Sequence, residues 1–150
     1  MSIRHCNLTV VPDVIGRFHN LRTVDFTGNR ISVLPSSFER LDRVETLVLE
    51  DNLFREVPAA LDLLFHLTDL NMADNRVAHL AIWHLPLHTA NFSDQDVEEM
   101  WWSSSEKNDE RPPTLCASAS NLMDLTVDWD RLGVDVPQWL LDLPVQLHAE

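Results

Sequence analysis

The chain has 150 residues, 45% of them hydrophobic, and 24 acidic against 11 basic side chains leave a formal net charge of −13. That length suits one domain, or one domain with an appendage, and can bury a core. The charge excludes nucleic acid and an anionic membrane surface as main partners, since both require a basic face. No apolar run approaches the ~18 residues that a bilayer demands. The opening residues lack the apolar stretch of a secretory signal. Cys6 and Cys116 stand too far apart for a disulfide framework or a metal knuckle. The expected compartment is therefore reducing, the cytoplasm first and the nucleus second. On that reading Asn7-Leu8-Thr9 and Asn91-Phe92-Ser93 match the glycosylation pattern by chance.

The charge divides near Ser93. Residues 1–93 hold 11 acids and 8 bases, a net of −3, and residues 94–150 hold 13 acids and 3 bases, a net of −10. The first part is a repeat. Asn29, Asn52 and Asn75 recur at a fixed interval of 23, and the apolar positions around them recur in the same register. These are Leu21, Val24 and Phe26, then Val44, Leu47 and Leu49, then Leu67, Leu70 and Met72. Ile31, Phe54 and Val77 follow each Asn by two positions. Leu34-Pro35 and Val57-Pro58 repeat the next step, and Leu80-Ala81 is a copy without proline. Backwards the frame reaches Val11-Pro12, Leu8 and Cys6 at the Asn position. Forwards it persists in shortened form at Leu87, Ala90, Phe92 and Gln95.

Such a period predicts a solenoid. Alternation in each LxxLxL places two apolar residues inward from a short strand and the residues between them outward. Stacked copies then form a parallel sheet. The Asn is expected to satisfy backbone groups of its own turn and of the next coil, and the segment after each proline to return along the outer side as a short helical or irregular stretch. This frame resembles the leucine-rich repeat family in its short intracellular variety, over residues 1–93 as four to five coils. Met1 and Ile3 read as a short edge strand of a coil entered halfway, or as the start of a product lacking upstream repeats.

The resemblance implies a concave sheet surface offered to a protein target. The register assigns to it Thr23, Asp25 and Thr27; Thr46, Val48 and Glu50; Asp69, Asn71 and Ala73; and Thr89, Asn91 and Ser93. Small, polar and mildly acidic, this face suits a segment bearing some Lys or Arg. The plain alternative is a row of solvated strand positions.

The remainder reads as helical. Asp94 is an N-cap candidate with acids following it, and Val97, Met100 and Trp101 share a helical face, so residues 94–111 are expected to hold a cap helix and an acidic linker. Residues 112–150 are expected to form a helical C-terminal module. Pro112, Pro113 and Thr114 mark a helix start. Leu115, Ala119, Leu122 and Met123 then line one face. A second stripe runs from Val136-Pro137 through Trp139 to Leu143.

The spacing Leu115, Ala119, Met123 resembles the elongin-binding box of cullin-type ubiquitin-ligase receptors, and Val136, Pro137, Trp139 and Leu143 resemble the accompanying cullin-selecting box. That resemblance implies helix-in-groove binding to elongin C with elongin B, and to a cullin. Leu115 would be the anchor, with Ala119 and Met123 completing its face and Val136, Pro137 and Trp139 meeting the cullin. The alternative is that both helices only pack on the solenoid.

Enzymatic signals are weak. His79, His84 and His88 cluster without Cys or carboxylate at ligand spacing and read as surface or packing residues. Three glycines leave no phosphate cradle, and no nucleophile motif is present. Asp124, Asp128 and Asp130 read as a solvated run. The chain is therefore expected to be a non-enzymatic interaction protein, monomeric when free, without cofactor or metal. It would be a substrate-recognition adaptor of an elongin–cullin ligase or, alternatively, a plain repeat scaffold.

Overall fold

A computed structural model describes residues 1–80, 82, 85–97, 122–127, 138–141 and 145–148; the side chains of Gln138 and Trp139 lie outside that description. Among the described residues, six parallel strands form one sheet in sequence order: β1 (Thr23–Asp25), β2 (Thr46–Val48), β3 (Asp69–Asn71), β4 (Thr89–Phe92), β5 (Asp124–Val127) and β6 (Gln146–His148). Ahead of β1, Ser2 pairs with Asp25 in parallel, and Ile3 N donates to the Asp25 carbonyl at 2.8 Å. Where the sequence suggests a short edge strand, the structure has a single parallel bridge rather than a strand.

The alternating pattern explains the strand faces. Val24, Leu47, Leu70, Ala90, Leu125 and Leu147 share one register position. The first five are buried in the core, and Leu147 packs against it. Phe26, Leu49, Met72 and Phe92 form a second fully buried row. Each such side chain is worth about 1.5–3 kcal/mol relative to exposure, so the energy of the fold lies in stacking one coil on the next.

The prolines start the return path. Pro12, Pro35 and Pro58 immediately precede 3-10 helices at Asp13–Arg17, Ser36–Arg40 and Ala59–Leu63. Their rings hold φ near the value a turn needs. Their carbonyls accept from Ile15, Phe38 and Leu61 N at 2.9–3.0 Å. Those three side chains plug the core from the outer side.

The buried asparagines form a ladder, but it runs opposite to the expected direction. Asn52 Oδ1 accepts from Ile31 N at 3.0 Å, and its Nδ2 donates to Phe26 O, both in the preceding coil. The same Nδ2 also donates to Leu49 O and Glu50 O of its own turn. Asn75 repeats the pattern on Phe54 N and Leu49 O. Asn29 reaches back to Leu8 N and Ile3 O. In the shortened coil Gln95 serves, accepting from Val77 N at 2.8 Å and donating to Met72 O and Ser93 O. The residue before each of these turns the chain through left-handed backbone: Gly28 at φ 68°, Asp51 at 53°, Asp74 at 52° and Asp94 at 52°. Gly28 also lies against the His5 ring, where a β-carbon would collide.

Two expectations for the tail are corrected. Asp94 is not a helix N-cap, because it occupies the left-handed repeat position, and Gln95 and Asp96 continue the coil, with Asp96 N donating to Asn75 O at 2.7 Å. Nor are residues 112–150 a helical module throughout. Asp124–Val127 and Gln146–His148 are strands of the same sheet, and the one described helical segment is the single turn Gln138–Leu141. Leu122, Leu125 and Val127 are buried, repeating the LxxLxL frame with Val in the last place. The rest of the expected cap helix and linker, including Met100 and Trp101, lies outside the described residues.

Candidate functional site

The outward positions of the strands line up in rows across the sheet. One row is Thr23, Thr46, Asp69, Thr89, Asp124 and Gln146, and the next is Asp25, Val48, Asn71, Asn91, Thr126 and His148. Thr27, Glu50, Ala73 and Ser93 follow the strands two residues further on. The face assigned from the sequence is thus brought together. It extends onto β5 and β6, which lie in the stretch that the sequence assigns to a helical module. Arg4, at the edge of the same face, was also missed in the sequence. The signal for β5 was present in Leu122-x-x-Leu125-x-Val127, but its 35-residue interval from β4 breaks the period of 23.

Several of these side chains hold the ends of the strands. Asp25 Oδ1 accepts from Thr27 N at 3.1 Å, Asn71 Oδ1 from Ala73 N at 3.0 Å, and Asn91 Oδ1 from Ser93 N at 3.0 Å. This is the side-chain-to-backbone bond two residues on that Asp and Asn favour in turns. Ala73 and Ser93 are buried. They frame the face and present little surface to a partner.

At the β1 end the charge is neutralised internally. Arg4 Nε donates to Asp25 Oδ2 at 2.6 Å, and the same guanidinium closes an ion pair on that carboxylate. Burial pushes the Asp25 carboxyl upward, yet hydrogen bonds from Arg4 and Thr27 and the Arg4 charge outweigh it, leaving its pKa below the ordinary aspartate value. The hydrogen bond to Asp25, with its charge, raises Arg4.

Toward β3–β5 the face carries a different arrangement. Asp69 accepts hydroxyl bonds from Thr68 and Thr89, each at 2.7 Å, and Asn71 Nδ2 donates to Glu50 Oε2 at 2.8 Å. Asp124 Oδ1 lies 3.2 Å from His148 Nε2. Here the face is hollowed by a depression of about 170 Å³, whose walls include Val48, Asp69, Asn71, Thr89, Asp124 and Thr126. Among the described residues no cluster of His, Cys, Asp and Glu is arranged to hold a metal, and no helix is long and apolar enough to cross a membrane.

The expected elongin and cullin contacts fare differently. Leu115, Ala119, Val136, Pro137 and Leu143 lie outside the described residues, and Trp139 falls in the Gln138–Leu141 turn with its side chain undescribed. Met123 is described, and its place corrects the expected helix. It is 58% exposed on extended backbone immediately before β5, its N donating to His88 O at 2.8 Å. A helix carrying Leu115 through Met123 on one face would need that amide for its own turn, and the sheet takes it.

Comparison with known proteins agrees with the fold. Residues 20–41 match the family described as Leucine Rich Repeat. The chain is 30% identical over 96 residues to receptor-like protein 39 of Arabidopsis thaliana, a match covering 62% of this chain but only 11% of that relative's length. Among solved structures, a repeat protein of Leptospira interrogans superimposes with a TM-score of 0.64 at 16% identity, covering 95% of this chain and 40% of the other. The leucine-rich repeat domain of the type III effector XopL gives 0.61 at 16% identity, over 99% and 67%. The functional domain of InlJ from Listeria monocytogenes, described as including a cysteine ladder, gives 0.58 at 17% identity, over 85% and 30%. Here, among the described residues, Cys6 is the one cysteine at an Asn position, exposed, with its Sγ toward Arg4 O.

Proposed function

Taking these coils as leucine-rich repeats, we propose that the protein is a non-enzymatic interaction scaffold whose open sheet face holds an extended segment of a protein target. The observation that carries this is the hollowed face itself. Six strands in one register present aligned polar rows over a shallow depression, a shape matched to a peptide rather than to a small enclosed substrate. The exposed thiol of Cys6 suits the reducing interior of a cell, and we place the protein in the cytoplasm as a monomer. The test is selection of binders from a random linear-peptide library against the whole chain. Asn71→Arg, which fills the face, should weaken the selected peptides tenfold or more. Ser36→Arg on the outer side should leave them unchanged. Peptides indifferent to Asn71→Arg would refute the sheet as the site.

The narrower reading, an adaptor to elongins B and C and a cullin, rests on Leu115 and Ala119, and Met123 on its extended backbone weighs against it. Co-purification with both elongins, abolished by Leu115→Glu, would restore that reading. Absence of co-purification leaves the plain scaffold.

A further inference from the structure

We propose that the depression across β2–β5 is a receptor for an arginine side chain of that extended segment, so this inference rests on the scaffold reading and adds the chemistry of the partner. Charge is distributed unevenly over the face. At β1 the carboxylate of Asp25 already holds Arg4, and on the flanks Arg22 pairs with Glu45 and Arg76 with Asp96. Among the described residues, Asp69 and Asp124 receive no arginine or lysine. Asp69 is met by two threonine hydroxyls, and Asp124 by the ring of His148.

The two carboxylates occupy the same row, separated by the β4 strand with Thr89 between them. At the spacing of paired strands that is roughly 10 Å between backbones, a gap that a guanidinium above Thr89 fills while facing both acids. Each Asp69 oxygen accepts one hydroxyl and keeps a second lone-pair direction for a donor from outside. Val48, half-buried at the other side of the depression, is the apolar member of its row. It offers a surface for the methylene stem that a long cationic side chain carries. A planar five-donor fork answers two separated carboxylates better than the compact ammonium of lysine.

The peptide selection decides the matter when its sequences and salt response are read. Selected peptides should share an arginine at one position, with lysine there binding more weakly. Asp69→Asn combined with Asp124→Asn should reduce their affinity tenfold or more while the melting temperature stays close to that of the parent chain. Raising the salt to about 0.5 M should weaken the parent and leave the double variant nearly indifferent. Thr126→Arg, which supplies a competing guanidinium from within, should block the same peptides. If Asp69→Asn disturbs folding through its threonine bonds, Asp124→Asn and Thr126→Arg carry the test alone. Peptides that Asn71→Arg displaces, yet that lack arginine or ignore the Asp variants, would overturn the arginine receptor and leave the scaffold standing. Peptides that ignore Asn71→Arg, or recovery of none, would overturn both.

Discussion

The coils up to Val97 and the strands beyond them reach the same sheet by different means. Strands β1 to β3 recur every 23 residues, each coil tied to its predecessor by a buried amide side chain. β5 arrives 35 residues after β4, and β6 follows 22 residues later, yet both keep the row positions of the earlier strands. The interval between strands is therefore not what sets register. The buried pair of each LxxLxL sets it, because a shift by one residue would send Leu125 and Val127 outward and Thr126 into the core.

Three measurements break or sharpen that comparison. The largest effect is expected from Leu47→Ala and Leu125→Ala, both fully buried at one register position. Each should lower unfolding stability by about 2–5 kcal/mol in chemical denaturation. Equal losses in a single transition mean that β5 belongs to one cooperative array. A second, earlier transition with Leu125→Ala would divide the molecule near Val97.

Next comes the ladder. Asn52→Ala removes four hydrogen bonds and leaves buried partners unsatisfied, a loss of about 2–3 kcal/mol, whereas Gln95→Ala removes three and should cost about 1–2 kcal/mol. Equal values for the two would remove the distinction between regular and shortened coils.

The smallest effect concerns pH. Asp25 titrates below the ordinary aspartate value, so its contribution is complete above the unfolded pKa near 3.9 and fades as pH falls through the lower folded value. Asp25→Asn should lower stability near neutrality, where that contribution is complete, and flatten the acid limb below about pH 4, where the parent chain loses it. A flattening at higher pH would assign the limb to other carboxylates.

The period of 23 made the repeat, its strands and its outward rows legible, because every inward position carries an apolar side chain and every ladder position an amide or Cys6. The prolines announced the outer turns for the same local reason, a fixed φ. What escaped was long-range. Leu122 and Met123 fit a helical stripe from Leu115 as well as they fit a strand frame, and only pairing with His88 and Thr89 decides between them. Asp94 likewise carries an N-cap's chemistry, and its left-handed backbone becomes evident only beside Asp51 and Asp74. On the face, the register yielded Asp69 directly. Asp124 stayed hidden with β5, and with it the half of the face whose acids meet no arginine or lysine among the described residues.

The ladder's backward reach gives the array a sense of direction. Each amide holds down the coil before it, as roof tiles overlap in one direction. Damage at Asn75 therefore leaves an orphaned N–H at Phe54 and a carbonyl short of a donor at Leu49, both upstream. Loss of a ladder amide is thus felt in its own turn, at Met72 O and Ala73 O for Asn75, and in the coil on its N-terminal side.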